Sequence, residues 1–202
     1  MTKKLFTVLF GSILFIEGSY GQINSALFDA IEKPSSEIEL LPNSMIFTQR
    51  LLWGEKGLMR STKLLPLSIE NREKEMKIRR KMLLAHQLVG YTTLAGMIAQ
   101  GILGVKLYNG QGQYKQAHEV IGNITTASYF TGAGLSLFAP PPLISVKNKG
   151  LTSIKAHKWL AFVHFSAMIA TNLLAESNTK YHRAASFTLF GSYALAVLAF
   201  KF

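Results

Sequence analysis

The chain has 202 residues, 49% of them apolar and 16% charged, with a formal net charge of +11 and no cysteine. Its length is that of about one domain, and its charged fraction is well below the roughly 25% usual for soluble domains. Without cysteine, a disulfide framework, an iron–sulfur cluster, a thiol nucleophile and a thioether-linked haem are all excluded.

The chain opens Met1-Thr2-Lys3-Lys4, continues with an apolar run over 5–16, and leaves it through Glu17-Gly18-Ser19-Tyr20-Gly21-Gln22. A basic start, about a dozen apolar residues and a small-residue exit predict a secretory signal over 1–21, cleaved before Gln22. The run is too short to span a bilayer comfortably. A retained signal anchor is the alternative, and both place the next segment outside the cytoplasm.

Residues 22–76 form an extracytoplasmic preface, broken at Pro34, Pro42 and Pro66. Within it, 44–59 (SMIFTQRLLWGEKGLM) carries apolar residues at helical spacing around Trp53, and is too polar to span. It is expected to lie against the membrane surface or the bundle. The charged stretch 68–81 favours helix, with Ser68-Ile69-Glu70-Asn71 as its cap, and runs into the first span.

Four apolar stretches follow over about 79–107, 117–139, 153–175 and 182–201, each near the ~20 residues a crossing needs. Short breaks at 108–112, 139–150 and 176–178 force neighbouring helices antiparallel. The expected fold is therefore an all-α membrane protein. Residues 77–202 make an antiparallel four-helix transmembrane bundle, behind a short, mostly helical or irregular periplasmic preface. The site of action is then a bacterial inner membrane, with membrane lipid as a surrounding partner. No basic helix is interleaved with stacking aromatics, so nucleic acid is not expected as a partner. One conflict remains. The signal puts Arg79, Arg80, Lys81, Lys147, Lys149 and Lys155 outside, against Lys106, Lys115, Lys180 and Arg183 inside. The positive-inside tendency favours the reverse; the signal acts first in translocation and decides the orientation adopted.

The chemistry is carried by histidine. Four of the five histidines stand at the entrances of the four spans, each with a small residue one turn later: His86/Gly90, His118/Gly122, His157/Ala161 and His182/Ser186. A histidine close to hydrocarbon is costly without a partner and marks a functional site by default. Antiparallel packing puts His86 opposite His157 at one end and His118 opposite His182 at the other. Two facing imidazoles are the ligand set of a b-type haem iron. The small residue lies on the same helix face and leaves room for a flat macrocycle. His164, two turns after His157, competes with it as ligand, or supports another ligand from behind. Span-end cations such as Arg80, Lys81, Lys158, Lys115 and Arg183 suit haem propionates, or snorkel to the interface. Zinc and an axial methionine are lesser alternatives. No nucleophile triad and no phosphate loop is present, so no catalytic residue is assigned.

These residues resemble the transmembrane cytochrome b-561 family. The likeness covers 77–202 and rests on the four histidines, the string Leu-Ala-His86-Gln-Leu-Val-Gly and the segment His157-Lys158-Trp159-Leu160-Ala161. It implies two b haems, held by His86/His157 and His118/His182, that pass electrons across the membrane. A quinol-like or other reductant and a periplasmic redox partner are the expected donor and acceptor. The flanking outer spans of many members are missing, and the extra His164 is unusual. The alternative is a non-catalytic accessory subunit of a larger membrane complex, with interfacial histidines and the preface as docking surface.

Overall fold

A computed structural model describes residues 39–144, 152–177 and 179–199. The chain divides into two compact units, Met1–Glu39 and Leu40–Phe202. All described residues except Glu39 belong to the second. The expected signal over 1–21, Lys147 and Lys149 lie outside the described residues. Those described form α-helix, one 3-10 turn and connecting segments, with no strand among them. Two short helices, α1 (Phe47–Trp53) and α2 (Leu58–Ser61), precede four long ones: α3 (Ile69–Tyr108), α4 (Lys115–Leu137), α5 (Ser153–Leu173) and α6 (Thr179–Leu198).

Helix α3 begins where its sequence supplies a cap: Ser68 is extended, and its Oγ accepts from the Asn71 N–H at 3.2 Å. Glu70 in the first turn meets the helix dipole and pairs with Lys74 at 2.8 Å, which holds its carboxyl below the ordinary range. No proline interrupts the next 40 residues, so the preface continues into the apolar stretch as one rod roughly 60 Å long. The rod stops at Asn109-Gly110, where Gly110 takes a φ of 81°. Thr152 caps α5 in the same way as Ser68, accepting from the Lys155 N–H at 3.3 Å.

The four long helices pack around a common core of Met97, Tyr129, Ala167, Met168, Leu189 and Tyr193, to which every one contributes. Helix α3 lies along α4 and α5 along α6, with α3 also meeting α6. Gly96 sets the first of these approaches, because a Cβ there would run into the Thr125 side chain. Thr125 cannot swing aside freely, since its hydroxyl donates to the Ile121 carbonyl at 2.7 Å. Forcing a methyl into such a contact costs about 1–3 kcal/mol. That exceeds the gain of up to ~1 kcal/mol in helix propensity from Gly to Ala. Gly96→Ala is therefore expected to lower the thermal midpoint in detergent.

Large apolar side chains face outward from all four helices, among them Ile102, Ile124, Trp159, Phe162, Leu173, Phe187 and Leu195. Among the described residues one helix, α3, is long and apolar enough to cross a membrane, and only 11% of its apolar stretch is buried within the chain. So little burial within the chain is unlike the mostly buried core helix of a water-soluble domain.

The preface closes one end of the assembly. The last carbonyls of a helix have no partner within it, and the three prolines after α4 remove N–H donors from the same stretch. Six consecutive carbonyls are met there by side chains. Thr48 donates to Leu137 O (2.6 Å), Trp53 Nε1 to Phe138 O (2.9 Å) and Gln49 Nε2 to Ala139 O (3.2 Å). Arg79 donates to Pro140 O (2.6 Å), and Arg72 to Pro141 O and Pro142 O (3.1 and 3.2 Å). Glu75, fully buried, holds the Arg72 guanidinium from the same helix and that of Arg60 from α2.

Candidate metal centres

Four histidines from four helices meet as two pairs. The rings of His86 on α3 and His157 on α5 have centres 6.3 Å apart and planes at 90°. Those of His118 on α4 and His182 on α6 are also 6.3 Å apart, at 76°. A direct N–H···N bond would bring two imidazole centres to about 5 Å. A metal held by bonds of about 2.0 Å to one nitrogen of each ring would need about 6.3 Å between centres on opposite sides of it. The separation is longer than a direct hydrogen bond gives and is compatible with one metal between the two imidazoles.

Hydrogen bonding sets the tautomer. Nδ1 of His86 donates to Gly132 O at 2.8 Å, that of His157 to Ala196 O at 3.1 Å, and that of His182 to Thr171 O at 2.8 Å. With the proton on Nδ1, the lone pair sits on Nε2, the nitrogen a metal would take. The acceptors follow a rule. Gly132 lies 14 residues after His118, Ala196 14 after His182, and Thr171 14 after His157. Each of α4, α5 and α6 thus brings a histidine to one pair and, roughly 21 Å further along its axis, a carbonyl that steadies a histidine of the other. In α3 the residue 14 after His86 is Gln100, which meets His118 differently: its Nε2 donates to the backbone oxygen of His118 at 2.7 Å. His118 Nδ1 is buried with no hydrogen-bond partner among the described residues.

His164 stands apart from both pairs. It is 8% exposed, in the central core, with Nδ1 2.6 Å from the Tyr129 hydroxyl and its ring centre 5.0 Å from that of Tyr193. Tyr193 in turn donates to Gly90 O at 3.1 Å.

Of the four small residues one turn after the histidines, two lie beside polar side chains. A Cβ on Gly90 would lie 3.5 Å from the Tyr193 hydroxyl, and one on Gly122 3.5 Å from Gln100 Oε1. Ser186 bonds back to the His182 carbonyl at 2.8 Å, and Ala161 is half-buried. Arg80 and Lys158 are exposed on the helices that carry His86 and His157. At the other end Arg183 stacks over Tyr108 at 4.2 Å, and Lys115 pairs with Glu119 at 3.7 Å. Among the described residues no group of three or more His, Cys, Asp and Glu converges on one point, so the donor set is one of imidazole pairs. Tyr129, Tyr193 and Gln100 carry no sequence signal of their own, and the carbonyls become recognisable only through the 14-residue spacing that the structure reveals.

The chain matches no family model, and no curated protein or solved structure shows similarity to it.

Proposed function

We propose that the chain is a dihaem b-type membrane cytochrome, an electron carrier with four transmembrane helices and one haem in each histidine pair. The observation that carries this reading is the shared 6.3 Å separation of His86/His157 and His118/His182. The outward-facing apolar side chains support the remaining spans: Trp159, Phe162 and Phe187 on α5 and α6 are 71%, 68% and 61% exposed, and Ile124 on α4 is 63% exposed. In water such a belt would exceed what a monomeric domain tolerates; in lipid it is the expected surface.

When bound, each haem supplies one-electron redox chemistry. The protein supplies the rest. Backbone carbonyls of Gly132, Ala196 and Thr171 orient three of the imidazoles and fix their tautomer. The helices hold the two pairs roughly 21 Å apart along the bundle axis. That displacement suits transfer from one membrane face toward the other. A quinol-like or other small reductant is the proposed donor, and a periplasmic redox protein or larger complex the acceptor. The preface, closing the His86/His157 end, then lies on the periplasmic side of a bacterial inner membrane.

The purified protein is expected to show b-type bands in a reduced-minus-oxidised visible spectrum, with two haems per chain by pyridine haemochrome. A chain reconstituted with excess haem that gives no such bands overturns the proposal.

A further inference from the structure

We propose that the two centres are unequal by construction, the His118/His182 centre having the higher reduction potential, because among the described residues His118, unlike the other three histidines, has no carbonyl behind its Nδ1. The inference rests on the dihaem reading. An imidazole whose Nδ1–H donates to a carbonyl is a more basic ligand, and a more basic ligand favours the oxidised, more positive iron. The His86/His157 pair has two such bonds, at 2.8 and 3.1 Å, and the His118/His182 pair has one, at 2.8 Å.

The exception has a structural cause. By the 14-residue spacing, the acceptor for His118 would be the Gln100 carbonyl on α3. The His118 ring lies instead against Gly104, one turn further on, with Cε1 3.5 Å and Nδ1 4.0 Å from where a Cβ would stand. Glycine has no side chain to offer an acceptor there. Gln100 spends its amide on the backbone of His118, an arrangement that fixes the helix and leaves the ring nitrogen alone. One-electron exchange between two bound haems would therefore favour the reduced state at His118/His182, with no proton or further reactant in the balance.

The same geometry offers a way to supply the missing bond. A serine at position 104 puts a hydroxyl within reach of His118 Nδ1. That hydroxyl can donate to the Gln100 carbonyl one turn back and accept from the imidazole. Gly104→Ala adds the same bulk without the acceptor. The experiment is a potentiometric titration, followed at the b-type bands, of the wild type, G104S, G104A and His118→Ala, with haem per chain measured first. His118→Ala is expected to remove the higher-potential component and keep the lower. G104S is expected to move the higher component down toward the lower, and G104A to leave it in place. In haem-free protein, histidine-selective 15N NMR is expected to show the His118 Nδ1–H newly hydrogen-bonded in G104S alone. Loss of the lower component in His118→Ala, or identical titrations for G104S and G104A, overturns the inference. Wild-type protein without two haems instead removes the reading beneath it.

Discussion

On the dihaem proposal, replacing His157 with alanine is expected to drop the haem content from two per chain to one, whereas His164→Gln keeps both. The two residues stand seven positions apart on the same helix and are equally suited to bind iron, so geometry must separate them. His157 has its ring centre 6.3 Å from that of His86 and its Nδ1 engaged by Ala196. His164 presents its Nδ1 to the Tyr129 hydroxyl at 2.6 Å within the core. On that proposal, losing His157 would remove one of two ligands, and a b haem, with no covalent link to this cysteine-free chain, would be held by His86 alone. Losing His164 leaves a buried phenol with a poorer partner, at a cost of about 1–3 kcal/mol of stability. His164→Gln is therefore expected to lower the thermal midpoint while the spectrum survives. The opposite pattern, one haem in H164Q and two in H157A, would move the ligand to His164.

The parts of the molecule legible in the sequence are those written as local period and composition. Ser68 and Thr152 announce helix starts because a cap needs only its own three neighbours. The facing of His86 with His157, and of His118 with His182, follows from short connections that make neighbouring helices antiparallel. The preface was far less legible. Its apolar periodicity fits a membrane surface and a protein surface equally well. What decides is a set of contacts across 85–90 positions, such as Trp53 with Phe138 and Gln49 with Ala139, for which a single sequence carries no signal. Backbone carbonyls are still harder to foresee. Gly132, Ala196 and Thr171 act through an atom every residue has, so they become visible only once the spacing of the histidines is laid on the helices. Glu75 reads as one more acid in a charged helical start, and its burial depends entirely on Arg60 arriving from α2.

Glu75→Gln is expected to be the most destabilising single change outside the histidine pairs. Glu75 is 0% exposed and is the counter-charge for two guanidiniums that are themselves nearly buried. Neutralising it leaves Arg60 and Arg72 without an anion among the described residues, where both already have a buried Nε with no hydrogen-bond partner. Breaking a buried ion pair from one side costs about 3–5 kcal/mol, a large fraction of the stability of a typical domain. The damage is also expected to be directional. Arg72 secures the Pro141 and Pro142 carbonyls, and the clamp to which it belongs extends to Leu137, five residues from the Gly132 carbonyl that holds His86. If each pair holds a haem as proposed, loosening this end should free the one at His86/His157 first and leave the one at His118/His182, at the far end of the bundle, in place. Chemical unfolding in detergent and haem release on mild heating measure the two effects separately. If E75Q unfolds at the wild-type midpoint, or loses both haems together, the buried cluster is neither the stability element nor the local clamp described. Replacing Arg60, Arg72 and Glu75 together with apolar residues of similar volume tests the charge argument itself. With no ion left stranded, the triple variant is expected to recover much of the stability lost in E75Q, less the share that belonged to the Arg72 bonds with the proline carbonyls.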